Sequence, residues 1–158
     1  MSTIAKFILL IMFFTPLSLI SGISANSTLS LNQQKRTLSL GISLYEERRY
    51  EQALRVLDDF LDIYPESPYL TGALEAMALI YEKTQRYIEA LQIYRRLYQE
   101  AGMTTQGIKY YYSQGRLLYE MGEIQDADKI FAEIVRLNPD SPYAKKAKIQ
   151  LQLNEVFD

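Results

Sequence analysis

The side chains of this 158-residue chain that could carry acid–base or metal chemistry are grouped carboxylates. Asp58, Asp59 and Asp62 form one group, and Asp126 and Asp128 form a second. Such groups can act as general acids, general bases or oxygen ligands for calcium. At their spacing, however, they belong to the polar face of an amphipathic helix, where carboxylates are solvated. We therefore predict that neither group is a catalytic or metal site.

The composition removes several classes of enzyme. The sequence contains no histidine and no cysteine. This excludes the usual neutral-pH general base, a thiolate nucleophile and sulfur-ligated zinc. The sequence also contains no glycine-rich loop of the kind that binds phosphate groups. We predict that the protein is not an enzyme and uses neither a cofactor nor a metal.

The charge balance argues against nucleic acid as a partner. The chain has 17 Lys and Arg against 19 Asp and Glu, which gives a net charge of −2. Proteins that bind nucleic acid need a basic footprint to neutralise phosphates. The local group Lys145, Lys146 and Lys148 is predicted to be the solvated face of a helix. We expect no nucleic-acid binding.

The N-terminus has the pattern of an export signal. Lys6 precedes an apolar run from Phe7 to Ile20, and small residues suited to signal peptidase follow up to Ala25. We predict a signal peptide over residues 1–25, followed by a short linker over 26–30. The alternative is an uncleaved membrane anchor over residues 7–25. Because there is no cysteine to acylate, the chain is not a lipoprotein.

One pattern of residues recurs with a period of 37, centred on Ala53, Ala90 and Ala127. Each copy has a small residue well before the alanine, an aromatic or aliphatic residue just before it, two large apolar residues after it, and a helix breaker beyond them. The copies are Gly41, Tyr50, Leu57, Phe60 and Pro65; Ala78, Tyr87, Tyr94, Leu97 and Gly102; and Gly115, Ile124, Phe131, Ile134 and Pro139. The apolar positions have helical spacing. The period predicts small units that stack on one another to bury their apolar faces.

The pattern predicts three pairs of helices and one further helix, with no β-strand. The expected ranges are about 31–48 and 51–64, 68–84 and 87–101, 105–121 and 124–137, and 142–156. Ser30 with Gln33 is the expected capping box of the first helix, and Thr104 or Thr105 is expected to begin the fifth. The small residue in the first helix of each pair is expected to let the second helix approach closely.

The pattern of small residue, aromatic, alanine, large apolar residue and proline resembles the tetratricopeptide repeat family. The resemblance implies an all-α fold, a right-handed α-solenoid of three helix-turn-helix units with a C-terminal capping helix. The domain is expected over residues 31–158, with repeats at about 34–67, 71–104 and 108–141 and the capping helix at about 142–156. The implied function is binding of another protein or peptide.

Two nearly identical peptides, Pro65–Tyr69 and Pro139–Tyr143, join successive units. In each, a proline ends one helix and the serine, Ser67 or Ser141, is expected to cap the next. These junctions resemble those of a bacterial envelope subgroup of the family, which includes the periplasmic Tol-Pal coordinator and BamD. That resemblance implies an exported scaffold, in the periplasm, that organises the cell envelope. The alternatives are a cell-wall regulator that contacts glycan and recruits wall enzymes, or a membrane-anchored adaptor.

In this family the first helix of each repeat lines a concave groove, which implies a set of partner-binding residues. By register, these are Lys35, Leu38, Ile42, Tyr45 and Glu46 in the first unit, Glu75, Leu79, Glu82 and Lys83 in the second, and Lys109, Tyr112, Arg116 and Tyr119 in the third. Lys109 and Arg116 are expected to engage an acidic group of the partner. A second copy of the chain is a further expected partner, through apolar residues of the C-terminal helix.

Overall fold

The computed structural model describes the backbone of residues 17–157 and the side chains of residues 30–153. This part of the chain contains helices and no strand. The helices are α1 (Leu17–Glu46), α2 (Tyr50–Ile63), α3 (Leu70–Lys83), α4 (Tyr87–Ala101), α5 (Thr105–Glu120), α6 (Ile124–Leu137) and α7 (Pro142–Phe157). From α2 onward, each helix boundary lies within two residues of the range predicted from the sequence. The predicted all-α fold is confirmed.

Helix α1 differs from the expectation at its N-terminal end. Residues 26–30, predicted as a short linker, are helical. Ser30 is therefore not a cap; its hydroxyl instead accepts a hydrogen bond from Gln34 Nε2 at 3.2 Å, one turn later. The capping-box prediction is wrong because the helix continues through Ser30; a serine inside a helix costs only about 0.5 kcal/mol relative to alanine.

The chain divides into two compact units, residues 1–36 and 37–158. Among the described residues, no helix is long and apolar enough to cross a membrane. Most of the segment predicted as a signal peptide or anchor, residues 1–16, lies outside the described residues. The second unit carries all three copies of the repeated pattern, and the rest of the fold is described for that unit.

The second helix of each pair buries the repeated apolar residues. Ala53, Ala90 and Ala127 are each fully buried. The large residues one and two turns later are also buried; they are Leu57, Phe60, Tyr94, Leu97, Phe131 and Ile134. This is the apolar stripe that the sequence predicted. It forms two clusters, one around α2 and α3 and one from α3 to α7.

Two glycines allow the paired helices to come close. A Cβ atom at Gly41 would lie 2.7 Å from Leu57 Cδ2, and one at Gly115 would lie 2.7 Å from Phe131 Cε1. Real Cβ atoms essentially never approach another atom this closely, so the facing side chain or its helix would have to shift. The predicted role of the small residue is confirmed at both positions.

The turn between the two helices of a pair has the same backbone in all three units. The second residue after the first helix is left-handed in each unit, at Arg48 (φ 61°), Gln85 (φ 58°) and Gly122 (φ 83°). In the first unit the N–H of Arg49 donates to the carbonyl of Leu44 at 2.8 Å, and the N–H of Arg48 donates to that of Tyr45 at 2.9 Å. These two bonds define a Schellman motif, and the other two units repeat it.

Helix α7 covers the end of the stack with small residues. The hydroxyl of Ser141 accepts a hydrogen bond from the N–H of Ala144 at 2.9 Å, which confirms the predicted cap. Thr104 caps α5 in the same way, by accepting from the N–H of Gly107. Ala144 and Ala147 are buried, whereas Ile149 and Leu153 are 58% and 47% exposed. Contact with a second copy through these residues stays a prediction.

Candidate protein-binding groove

The first helices of the three pairs form an open groove of about 450 Å³. Its walls include five residues that the register predicted: Tyr45 from α1, Leu79, Glu82 and Lys83 from α3, and Arg116 from α5. Three helices that follow one another at intervals of about 37 residues therefore contribute to one surface. The rigid α-hairpins, rather than loops, position these side chains.

Two residues of the groove were not predicted, Tyr87 and Glu120. Glu120 lies 37 residues after Lys83 and so occupies the register position that Glu46 and Lys83 hold in the earlier units. The repeat therefore contained the signal for Glu120. Tyr87 was assigned only to the packing pattern, because it begins the second helix of its pair.

Several predicted residues present apolar surface to solvent. Ile42 is 37% exposed, Leu79 is 41% exposed and Tyr119 is 36% exposed. Leu38 is half-buried and packs instead within the core around α2 and α3. Lys35 is exposed but belongs to the N-terminal unit, so the groove described for the second unit does not include it.

The carboxylate of Glu82 binds two partners inside the groove wall. One oxygen accepts a hydrogen bond from the hydroxyl of Tyr94 at 2.7 Å, and the other forms an ion pair with the guanidinium of Arg116. Burial, followed by the bond to Glu82, raises the pKa of Tyr94 well above its usual value. Burial acts to lower the pKa of Arg116, but the hydrogen bond to Glu82 and the negative charge of Glu82 together outweigh it, and the pKa lies above its usual value.

A similar arrangement lies two turns nearer the start of the same helices. Glu75 Oε1 accepts hydrogen bonds from Lys109 Nζ at 2.9 Å, from Gln106 Nε2 at 2.8 Å and from the hydroxyl of Tyr110 at 3.0 Å. Burial, with a smaller contribution from Glu75, raises the pKa of Tyr110 to about 12. Together, the Glu75 and Glu82 pairs tie α3 to α5.

These two ion pairs change the interpretation of the predicted cations. Lys109 and Arg116 were expected to engage an acidic group of a partner. Each instead binds a carboxylate of the preceding repeat, Glu75 or Glu82. The middle of the groove therefore carries paired charges rather than free positive charge.

The run Tyr110, Tyr111 and Tyr112 faces three different neighbours, as its helical geometry requires. Tyr110 is fully buried. Tyr111 stacks on Tyr98, with ring centroids 4.5 Å apart and an interplanar angle of 6°.

Tyr112, predicted to bind a partner, packs between helices. Its ring centroid lies 5.5 Å from that of Phe131 and 5.7 Å from that of Tyr143. We therefore assign Tyr112 chiefly to the packing of α5 against α6 and α7.

The carboxylate groups lie on exposed helix surface, away from the groove. Asp58 and Asp59 are exposed. Burial of part of Asp58, followed by the charges of Asp62 and Asp59, raises its pKa. Asp126 forms an exposed ion pair with Lys129 at 2.7 Å. Within the described residues, no group of three or more His, Cys, Asp or Glu side chains is arranged to hold a metal ion.

Comparison with known proteins agrees with this architecture. Two sequence models described as tetratricopeptide repeat match residues 38–103 and 109–141, which together are more than half of the chain. Among solved structures, PcrH from Pseudomonas aeruginosa is similar in fold, with a TM-score of 0.59 and 16% sequence identity over 77% of this chain and 91% of that one. No curated protein matches the chain in sequence. The repeated pattern, the paired helices and these matches show that the chain belongs to the tetratricopeptide repeat family.

Proposed function

We propose that the protein is a non-catalytic scaffold that holds a segment of a partner protein in the groove formed by α1, α3 and α5. The observation that carries this proposal is the set of exposed apolar side chains on these helices, Ile42, Leu79 and Tyr119. Burial of exposed apolar side chains is a main source of affinity in such grooves, and tyrosine is among the side chains that most often dominate binding energy. Membership of a repeat family whose members present such surfaces supports the proposal.

The paired charges in the groove favour an apolar rather than an acidic partner segment at its centre. Glu82 is 15% exposed and Arg116 is 40% exposed, and each satisfies the other. Engaging Arg116 with a partner's carboxylate would leave Glu82 partly buried and unpaired, which is costly. The affinity at the centre of the groove then comes mainly from burial of apolar surface around Leu79, at about 25 cal/mol per Å² of area removed from water.

A substitution at Leu79 tests this function. Leu79→Glu places a charge on the groove and should abolish cross-linking of the partner to a photoreactive residue placed in the groove. The matched control is Ile88→Glu, because Ile88 is also an exposed aliphatic residue, 60% exposed, on the neighbouring helix α4. Both variants should keep the helical circular dichroism of the parent. Equal cross-linking by the parent and Leu79→Glu would contradict the proposal.

We further propose that the scaffold is exported and acts in the bacterial cell envelope, most simply in the periplasm. The support is in the sequence: Lys6, the apolar run from Phe7 to Ile20, and the two junction peptides of the envelope type. The intact mass of the protein recovered from the same cells tests export. A mass that corresponds to cleavage near Ala25 supports it, and a full-length, membrane-bound product supports the anchored adaptor instead.

A further inference from the structure

A second cavity adjoins the groove at the turn between α1 and α2. It has a volume of about 400 Å³ and is lined by Tyr45, Glu46, Arg48, Tyr50 and Lys83. Tyr45 and Lys83 also line the groove, so the two spaces share a wall. The rings of Tyr45 and Tyr50 are 6.0 Å apart and form an aromatic side to the cavity. We call this space the turn cavity.

The turn cavity holds two cations that the fold does not pair. Lys83 and Arg48 are exposed, and the ion pairs formed among residues 30–153 include neither of them. The adjacent Arg49, by contrast, is paired with Glu47 at 2.9 Å. Glu46 contributes one negative charge to the lining. The cavity therefore has two positive charges against one negative charge, next to a groove whose central charges are paired.

Arg48 occupies a backbone position at which an arginine is not needed for the turn. Its φ angle of 61° is in the left-handed region, which favours glycine. The third unit makes the same turn with Gly122, and the second makes it with Gln85. A residue with a Cβ atom is disfavoured there, although Gln85 shows that the turn tolerates one. The turn thus requires the left-handed backbone at position 48, but it does not require the guanidinium group that Arg48 places in the cavity.

We infer that the turn cavity binds a carboxylate of the partner segment that occupies the groove. The guanidinium of Arg48 and the ammonium of Lys83 donate hydrogen bonds to the carboxylate oxygens. The rings of Tyr45 and Tyr50 pack on the aliphatic part of the acidic residue, and Glu46 accepts a hydrogen bond from a neighbouring N–H of the partner. This inference rests on the proposed function, because the acidic residue belongs to the segment held in the groove.

Two synthetic peptides test the inference with the full-length protein. They are acetyl-Ala-Leu-Leu-Glu-Leu-Ala-amide and the same peptide with Gln in place of Glu, titrated by nuclear magnetic resonance or calorimetry. The Glu peptide should bind about tenfold more tightly, which is the fold-change equivalent to one charge-assisted hydrogen bond. It should perturb the signals of residues 45–50 and of Lys83. Inorganic phosphate and acetate, titrated separately, should bind more weakly than the Glu peptide.

Two variants identify the residues responsible. Arg48→Gly removes the charge and relieves the left-handed strain, so the preference for Glu over Gln should disappear while the melting temperature does not fall. Gln85→Gly is the matched control: it relieves the same strain in the second unit and should keep the preference. Lys83→Gln should also reduce the preference.

The outcomes separate this inference from the function on which it rests. An unchanged Glu preference in both Arg48→Gly and Lys83→Gln overturns the inference, and so does the binding of phosphate as tightly as the Glu peptide or the failure of both peptides to bind. If Leu79→Glu still abolishes cross-linking of the cellular partner in any of these cases, the groove function stands and only the carboxylate site is lost. Loss of the Glu preference in Arg48→Gly, with cross-linking unaffected by Leu79→Glu, supports a carboxylate site in the turn cavity and contradicts the proposed function of the groove.

Discussion

The ion pair between Glu82 and Arg116 should behave as a structural tie between repeats, and a double-mutant cycle measures this. The substitutions are Glu82→Gln, Arg116→Gln and the two together. Each amide keeps the approximate shape of the side chain while removing its charge. In Glu82→Gln the amide oxygen still accepts from the hydroxyl of Tyr94, so the cycle isolates the charge interaction with Arg116.

The expected magnitude follows from the burial of the two groups. Removing one partner of a fully buried pair costs about 3–5 kcal/mol, whereas exposed pairs contribute only about 0.2–1 kcal/mol. Glu82 is 15% exposed and Arg116 is 40% exposed, so this pair lies between those limits. We expect each single substitution to lower the free energy of unfolding by about 2 kcal/mol and the double substitution by about 2.5 kcal/mol, a coupling of about 1.5 kcal/mol.

Urea unfolding followed by circular dichroism measures these free energies, and an exposed pair provides the control. Arg96 and Glu100 lie one turn apart on α4 at 3.0 Å, and both are about half exposed. The same cycle at that pair should give a coupling of about 0.5 kcal/mol or less, and salt should reduce it further. If the Glu82–Arg116 coupling is no larger than that of the control, Arg116 is free to engage a partner and our assignment is refuted.

Two further predictions concern packing and pH. Gly115→Ala should lower the free energy of unfolding by about 1 kcal/mol, because its Cβ would meet Phe131 at 2.7 Å. Gly72→Ala should instead raise it by about 0.5 kcal/mol, because the nearest atom, on Leu38, is 3.4 Å away. A change of the same sign for both variants in urea unfolding would contradict this packing. Folding raises the pKa of Tyr110 from 10.0 to about 12, so the contribution of this tyrosine to stability is complete below pH 10 and is lost as the pH rises towards 12. Phenolate absorbance and circular dichroism should therefore change together in that range. Titration of every tyrosine near pH 10 with the fold intact would contradict this prediction.

The repeated core could be predicted because it obeys a simple translation along the chain. Ala53, Ala90 and Ala127 are equivalent in the sequence and are equally buried in the structure. The glycines that admit Leu57 and Phe131 follow the same translation. Each position depends mainly on neighbours within its own unit, so one unit predicts the next. This explains why the helix boundaries from α2 onward were also predictable.

The ion pairs of the groove were not predictable because they do not obey that translation. Glu75 pairs with Lys109, and Glu82 pairs with Arg116, each 34 residues apart. Residues 37 positions apart are equivalent in successive repeats, but their side chains are not the ones in contact. Successive first helices meet with an offset of about one turn, and only the three-dimensional structure shows that offset. These side chains could therefore be predicted from the sequence as groove residues, but the pairing of their charges with one another could not.

The division of charge between the groove and the turn cavity gives the proposed scaffold a way to position its partner. Burial of apolar surface around Leu79 supplies affinity, but apolar contacts are non-directional and allow a segment to slide along the groove. A carboxylate held by Arg48 and Lys83 at one edge would fix the register of that segment, because electrostatic complementarity contributes more to specificity than to affinity. The internal ion pairs of Glu75 and Glu82 then serve a second purpose. Because they occupy Lys109 and Arg116, the middle of the groove has no anion site that competes with the turn cavity for the partner's carboxylate.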